Sequence, residues 1–160
     1  MRLELIRAGI EDTELIWKMQ ITAFAGLLEK YQDIDTNPGS EPAEKVRMRL
    51  AQPFTYYYLL KLEDTYVGAI RVVDKKEEGK RKKISPLFVL PQFRNMGLAQ
   101  EAILAAEELH GKDNWELETI LSEAGNCYLY EKMGYVRTGK TEVINDKLTL
   151  VFYQKDIGEV

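Results

Sequence analysis

Two periods of hydrophobic positions alternate along this chain, one close to two and one close to 3.6, and they predict strands interleaved with helices. Residues 3–7 alternate apolar and charged side chains, as a half-buried strand does. Asp12 then stands where a helix N-cap would, ahead of a first helix that runs to about Leu28. Loop-forming residues collect over 31–42, and a short second helix follows over 41–50.

The middle of the chain predicts a hairpin and then a third strand. The segments 54–62 and 66–73 are rich in strand-forming residues and are separated by the turn pair Glu63-Asp64. A second turn over 76–80 precedes a strand over 84–90. Tyr56, Tyr57 and Tyr58 alternate across the first of these strands, so neighbours among them face opposite sides.

The remaining elements are a helix, a strand, a helix and a final hairpin. Their predicted bounds are 97 to about 109, 115–121, 124–133, 135–144 and 147–154, with Asn145-Asp146 as the hairpin turn. The order β-α-α-β-β-β-α-β-α-β-β predicts an α/β protein, with a mixed sheet of about seven strands and helices on both faces.

Length and composition support this architecture. A chain of 160 residues, 45% hydrophobic and 30% charged, predicts one domain over residues 1–160 with a core large enough to fold alone. The net charge of −4 and the pI near 5.2 argue against nucleic acid or an anionic membrane as partner. The charged N-terminal segment lacks the apolar stretch of a signal peptide, and a single cysteine cannot form an internal disulfide, so we expect a cytoplasmic protein.

The segment Leu87–Ala99 has the form of an anion-binding turn. An apolar strand breaks at Pro91, and helical spacing resumes after Gly97, so the first N–H groups of a helix are free to bind an anion. Gly97 allows close backbone approach, and Arg94 adds a positive charge. The three spaced glycines of a dinucleotide loop and the lysine-serine pair of a P-loop are both absent.

Two motifs together resemble the GCN5-related N-acetyltransferase superfamily. The first is Arg94-x-x-Gly97-x-Ala99 directly after a strand, and the second is Leu129-Tyr130-Glu131-Lys132-Met133-Gly134-Tyr135 about thirty residues later. The order of elements agrees with that superfamily along nearly the whole chain. The resemblance implies an N-acetyltransferase that uses acetyl-coenzyme A.

The resemblance also implies where the coenzyme lies. Its pyrophosphate would bind the amides of Asn95–Gln100, and its pantetheine arm would follow Leu87–Val89, where the strand splays from the strand over 115–121. Pro86 fits a strand with missing partners, although it is equally typical of an irregular strand start. The residues expected at the coenzyme are Leu87, Phe88, Val89, Arg94, Asn95, Met96, Gly97, Leu98, Ala99, Gln100 and Asn126.

By resemblance, Tyr130 is the general acid that protonates the departing thiolate. A tyrosine hydroxyl, with a pKa of about 10, stays a proton donor at neutral pH, and a thiol of pKa about 8.5 is a good acceptor as its thiolate. The alternative is a ring that packs on the sheet with its hydroxyl bonded to the backbone.

The chain departs from the commonest family pattern at one position. Many members carry an asparagine seven residues before this tyrosine, where Glu123 stands here. Asn126 shares a helix face with Tyr130 and either contacts the pantetheine or satisfies local backbone groups. The general base is left open between Glu118, Glu123 and a water molecule, and each carboxylate is also typical of a solvated surface.

The other candidate groups favour structural roles. His110 at a helix end is typical of a cap, Cys127 of a small core residue, and one histidine with one cysteine makes a metal site improbable. The acidic residues before the second helix either attract a cationic acceptor or form a solvated loop. They are Glu29, Asp33, Asp35 and Glu41.

The resemblance therefore implies transfer of an acetyl group to a primary amine of a small molecule or a peptide, by direct attack in a ternary complex. A non-catalytic acyl-coenzyme A sensor and an acyltransferase for longer acyl groups are the alternatives. The resemblance also allows a homodimer, because the exposed last strands of this fold often pair between subunits.

Overall fold

A computed structural model describes residues 3–157. They form seven strands and four helices, joined by turns and three short 3₁₀ segments. The strands are β1 (Leu3–Arg7), β2 (Thr55–Leu62), β3 (Thr65–Val73), β4 (Lys82–Val89), β5 (Trp115–Ile120), β6 (Val136–Asn145) and β7 (Leu148–Lys155). The helices are α1 (Thr13–Tyr31), α2 (Ala43–Leu50), α3 (Leu98–His110) and α4 (Ala124–Lys132).

One sheet contains all seven strands in the order β1-β2-β3-β4-β5-β7-β6. Every neighbouring pair is antiparallel except β4 and β5, which α3 connects as a crossover helix. None of the helices in the described residues is long and apolar enough to cross a membrane.

The helices cover the two faces of the sheet and bury two apolar clusters. On one face, α1 and α2 bury Ile16 and Val46 against Tyr57 of β2. On the other face, α3 and α4 bury Ile103 and Cys127 among the side chains of the central strands. The mixed α/β fold predicted from the sequence is confirmed, and Tyr57 and Tyr58 lie in opposite clusters, as the strand alternation requires.

Several element boundaries differ from the sequence prediction by one to three residues, and two of these differences have a clear cause in tertiary contacts. Helix α1 continues three residues past Leu28 to Tyr31, whose side chain is only 3% exposed and is anchored by tertiary contacts that local periodicity does not report. Strand β4 begins at Lys82 instead of Ile84, because Lys82 and Lys83 pair with the start of β5.

Gly68 is the position on β3 where the sheet tolerates no side chain. A Cβ built there would lie 2.1 Å from the carbonyl oxygen of Phe88 and 3.0 Å from the Cα of Val89, both backbone atoms of β4. Those atoms cannot move without shifting strand β4.

We therefore expect Gly68→Ala to lower the free energy of unfolding by about 2 kcal/mol, measured by urea denaturation. Gly125→Ala is the matched control, because a Cβ at Gly125 meets nothing within 4 Å and the position is helical. That variant should be neutral or slightly stabilising. Equal destabilisation of the two variants would contradict the steric argument.

Glu41 anchors α1, α2 and their connection from a buried position. Its carboxylate accepts two hydrogen bonds from Arg49, at 2.7 and 2.8 Å, and one from Gln20 at 2.9 Å. Asp33 is buried as well and accepts bonds from the amide and the hydroxyl of Thr36. The alternative of a solvated loop is therefore wrong for Glu41 and Asp33, whose carboxylates are buried and hydrogen-bonded within the fold, whereas Glu29 and Asp35 are exposed.

Glu41→Gln should destabilise the protein by about 2 kcal/mol at pH 7, because it leaves the half-buried Arg49 without a negative partner. Burial raises the pKa of Glu41, but Arg49, Lys45 and Gln20 outweigh it and hold that pKa below its ordinary value of 4.5. The ion-pair contribution is thus fully present above pH 4.5 and is lost as the pH falls through the folded-state pKa.

The check is urea denaturation at several pH values. The gap between wild type and Glu41→Gln should narrow as the pH drops below 4.5, and Glu44→Gln, on the exposed side of α2, should show no gap at any pH. A gap that persists unchanged at low pH would contradict this account.

His110 ends α3 as predicted, but its ring is held by side chains and is not a solvent-facing cap. Nδ1 lies 2.9 Å from Asp74 Oδ2, and Nε2 lies 2.8 Å from the hydroxyl of Tyr58. The His110 side chain is 5% exposed, and its contacts tie α3 to β2 and to the end of β3. The prediction of a structural role for His110 is supported, but its partners are the side chains of Asp74 and Tyr58 and not the end of the helix.

Candidate active site

The parallel strands β4 and β5 separate after two residue pairs. Lys82 pairs with Trp115 and Lys83 with Glu116, and no further pairs join the two strands in the described residues. From Ile84 to Val89, β4 still pairs with β3 on its other edge, although that pairing is interrupted beside Ser85 and Pro86. The edge of β4 that faces β5 is therefore free, and polar backbone groups there need a partner.

A cleft of about 670 Å³ occupies the space between the separated strands. Its walls are β4 from Ile84 to Val89, β5 from Glu118 to Ile120, the start of β7, helix α4, the second half of α1 and the connection over 33–38. Such a volume is typical of small-molecule and cofactor sites. We call this space the β4–β5 cleft.

At the carboxyl end of β4 the cleft meets a smaller pocket of about 180 Å³ at the start of α3. Gly97 caps α3 with φ of +76°, and Asn95 also has a positive φ of +63°, so the turn has the left-handed backbone that brings amides together. The free N–H groups of the first helical turn favour an anion here. A Cβ at Gly97 would meet no atom within 4 Å, so the space above it is open.

Arg94 lies at the boundary of these two spaces. Its Nη2 donates to the carbonyl of Ala23 on α1 at 2.7 Å, and its Nε donates to the carbonyl of Val89 at 3.1 Å. Both acceptors are neutral, so the guanidinium keeps its full positive charge beside the turn while it also links α1 to β4. The side chain is exposed and lines both the pocket and the cleft.

Tyr130 projects from α4 into the β4–β5 cleft. Its ring packs against Tyr135 and Tyr153, with centroids 6.1 and 6.3 Å away, while its hydroxyl makes no hydrogen bond to any residue from 3 to 157. Burial raises the pKa of Tyr130 to about 12, so its proton is retained through the neutral range. The hydroxyl is thus an unused donor on a residue that lines the cleft, and the alternative of a hydroxyl bonded to the backbone is not observed among residues 3–157.

Asn126 also lines the cleft, one helical turn before Tyr130. Its side-chain amide bonds to no described residue, and only its backbone N–H is used, toward the carbonyl of Glu123. The side chain is therefore available to a ligand in the cleft.

Glu123 is held by helix α1 across the cleft. Its Oε2 accepts from Lys30 Nζ at 2.7 Å and from the Tyr31 hydroxyl at 2.5 Å, and Tyr31 also contacts Ser122 at 2.8 Å. These bonds to Lys30 and Tyr31 lower the pKa of Glu123 below its usual range. A carboxylate stabilised in this way is a weak proton acceptor, which counts against a role as direct general base.

Glu118 is likewise paired, at 2.9 Å, with Lys83 on β4. Both carboxylates considered as general base therefore lie at the cleft wall, and both have cationic partners. Sequence reasoning missed Tyr31 and Lys30, whose partners are more than ninety residues away in the chain. The available sequence signal for this contact was Tyr31, an aromatic residue at the end of an otherwise amphipathic helix.

The structure brings most of the expected coenzyme residues to one continuous surface. The small pocket contains Val89, Arg94, Asn95, Gly97, Leu98, Ala99 and Gln100, and the cleft adds Leu87, Phe88, Asn126 and Tyr130. Met96 lines neither space and is 45% exposed. No group of three metal-binding side chains occurs between residues 3 and 157.

The family profile described as "Acetyltransferase (GNAT) family" matches residues 24–135. The chain belongs to this family. Family and fold together make it an acetyl-coenzyme A-dependent acyltransferase, with acetyl-coenzyme A as co-substrate. No curated protein sequence matches it significantly.

Solved structures of low sequence identity share the fold over almost the whole chain. An acetyltransferase from Thermus thermophilus has a TM-score of 0.72 at 16% identity, with 98% of each chain covered. The PaiA N-acetyltransferase from Thermoplasma acidophilum, solved with coenzyme A, has a TM-score of 0.72 at 15% identity, covering 98% of this chain and 100% of that one. The spermidine N-acetyltransferase from Vibrio cholerae, solved with coenzyme A and spermine, has a TM-score of 0.74 at 13% identity, covering 95% and 94%.

Proposed function

We propose that this protein transfers the acetyl group of acetyl-coenzyme A to a primary amine, by direct attack within a ternary complex. The observation that carries the proposal is the continuity of two spaces. The anion-binding turn at Gly97 opens into the β4–β5 cleft, and the free hydroxyl of Tyr130 lies on the wall of that cleft.

In this proposal the pyrophosphate binds the amides of Asn95–Gln100, with Arg94 supplying positive charge. The pantetheine arm extends from there along the free edge of β4 at Leu87–Val89. Its two amides supply the hydrogen-bond partners that β5 does not, because β5 has already separated from β4. Asn126 adds an unused side-chain amide on the opposite wall.

The chemistry requires three events at the thioester. The neutral amine nitrogen attacks the carbonyl carbon, the carbon–sulfur bond breaks, and the nitrogen loses its proton. Tyr130 donates its proton to the departing thiolate, which leaves as the thiol, and is reprotonated from solvent. Because Glu118 and Glu123 are already paired with lysines, we assign removal of the amine proton to water in the cleft.

The acceptor is a primary amine of a small molecule or a peptide. The spermidine N-acetyltransferase from Vibrio cholerae, solved with coenzyme A and spermine, is one precedent in this fold for a polyamine ligand. The outermost strand β6 is exposed from Val136 to Val143 and has a free edge, which supports the proposal of a homodimer.

The decisive experiment measures thiol release from acetyl-coenzyme A with a panel of amines: polyamines, amino acids, aminoglycosides and peptides. Turnover with at least one amine, together with mass-spectrometric detection of its acetylated product, is the expected result. Micromolar coenzyme binding without turnover of any amine would overturn the proposal and favour an acyl-coenzyme A sensor. Repeating the panel with a longer acyl-coenzyme A tests the acyl chain.

A further inference from the structure

Arg71 is the only charged residue within the strand β3. It lies where the pairing of β3 with β4 is interrupted, between the pairs Ile70–Leu87 and Val72–Ile84. The residues opposite this interruption are Ser85 and Pro86, and both line the β4–β5 cleft. Arg71 thus contacts the cleft wall through the carbonyl of Ser85, from the α1–α2 face of the sheet, without lining the cleft itself.

The guanidinium of Arg71 is poorly satisfied for a half-buried cation. Nη1 donates to the carbonyl of Ser85 at 2.7 Å, but Nη2 has only a long contact of 3.4 Å to Gln52 Oε1, an oxygen that already accepts from Thr55. Nε is buried and has no hydrogen-bond partner. Unpaired buried polar groups are rare in folded proteins and call for an explanation.

No carboxylate among residues 3–157 forms an ion pair with Arg71. The carboxylate of Glu41, on the same face, is taken by Arg49, and that of Glu118 is taken by Lys83. Burial, with the positive charge of Arg49, lowers the pKa of Arg71 to about 10, so the group is still charged at neutral pH. A charge in this position gains from an anion that the protein itself does not supply.

Most of the other arginines in the described residues have the carboxylate partner that Arg71 lacks. Arg47, Arg49, Arg81 and Arg137 each pair with a carboxylate. Among the described residues, only Arg7, Arg71 and Arg94 have none. Arg7 is exposed and stacks on Tyr56, whereas Arg94 lines the cleft and Arg71 bonds to the carbonyl of the cleft residue Ser85.

The position of Arg71 corresponds to the acceptor end of the cleft. If the pyrophosphate binds at Gly97 and the arm follows β4 backwards from Val89 to Leu87, the next residues along its path are Pro86 and Ser85. The thioester then lies near the segment that Arg71 contacts through the Ser85 carbonyl.

We propose that Arg71 binds a carboxylate of the acceptor, so that the substrate is an amine that also carries an acid group, as an amino acid does. This inference rests on the proposed acetyl transfer and narrows its substrate class. A planar carboxylate replaces the long contact from Nη2 to Gln52 and gives Arg71 the charged partner that it lacks.

The kinetic test compares acceptors that carry either a carboxylate or the corresponding carboxamide several bonds away from the acetylated amine, so that the basicity of the amine is nearly the same in each pair. Wild-type protein should show kcat/KM at least about tenfold higher for the acid than for the amide of the best pair. Arg71→Gln should bring this ratio close to one by lowering kcat/KM for the acid alone. Arg71→Lys should retain part of the preference.

Arg47→Gln is the matched control, since Arg47 is an exposed arginine of α2 and pairs with Glu44 away from the cleft. It should leave the ratio unchanged. Because the readout is a ratio within one variant, partial unfolding of Arg71→Gln cannot imitate the effect. An acid-to-amide ratio that is the same in wild type and Arg71→Gln would overturn the inference.

A second measurement separates this inference from the proposed function. In ¹⁵N spectra of the complex with coenzyme A, the Nε–H signal of Arg71, assigned by its loss in Arg71→Lys, should shift with the amino acid and not with its carboxamide. A shift without turnover would refute acetyl transfer and keep the carboxylate site. Turnover of amides and acids alike, without a shift, would refute the carboxylate site and keep acetyl transfer.

Discussion

Tyr130→Phe is expected to lower kcat by roughly 10²–10³-fold, with little change in coenzyme A affinity. The substitution removes one oxygen from the cleft wall and leaves the ring packed on Tyr135 and Tyr153. The departing thiolate then lacks a proton donor, whereas the groups that hold the pyrophosphate are unaffected. Steady-state kinetics with calorimetric titration of coenzyme A separates the two quantities.

The pH profile adds a second check on Tyr130. Since burial raises the pKa of Tyr130 to about 12, the hydroxyl stays protonated and able to donate at every pH up to at least 10. The deficit of the variant should therefore be the same at pH 7 and at pH 9. A deficit that disappears with rising pH would point to a role other than proton donation.

Tyr128→Phe is the matched control for this substitution. Tyr128 lies two residues earlier on α4 and is 67% exposed, so its hydroxyl faces solvent. That variant should retain wild-type kcat. Unchanged turnover in Tyr130→Phe would remove Tyr130 from the mechanism.

Gly97→Asp is expected to weaken coenzyme A binding by roughly 10²–10³-fold, because a carboxylate would stand beside the pyrophosphate at close range. Aspartate tolerates a positive φ better than most residues, so the backbone turn at +76° should survive. The space around Gly97 is open, so the new side chain clashes with no protein atom. The loss should shrink at high salt, where charge repulsion is screened.

Gly79→Asp provides the control for strain and charge. Gly79 has φ of +80°, nothing lies within 4 Å of its built Cβ, and it sits in the turn before β4, outside the cleft. Both variants should lose similar stability, and only Gly97→Asp should lose affinity. Equal affinity in the two variants would rule out an anion at Gly97.

The local features of the fold were accessible from the sequence. Alternation identified the strands, and the sequence around Gly97 identified a strand-to-helix turn whose capping residue is Gly97 itself. These features depend on residues within one or two turns of each other. The separation of β4 from β5 was available only through the resemblance to known acetyltransferases, since it is a relation between two strands about thirty residues apart.

The features that sequence reasoning missed depend on side-chain contacts, some local and some distant, that hydrophobic periodicity does not report. The burial of Asp33 and Glu41 follows from partners that no periodicity reports, and the pairing of Tyr31 with Glu123 spans most of the chain. The sequence carries one signal for Arg71, which is the only charged residue in strand β3. Its significance came only from the groups that surround it and from the missing acid partner.

The free edge of β4 also has a consequence for the stability of the protein in a cell, where the concentration of the co-substrate varies. A ligand that completes an unfinished sheet stabilises the native state according to its concentration, by about 2.7 kcal/mol at one hundred times its dissociation constant. In a cell short of acetyl-coenzyme A, more of the molecules would unfold transiently and meet proteases. On the proposed binding mode along β4, the stability of the protein is therefore expected to depend on the concentration of its own acetyl donor.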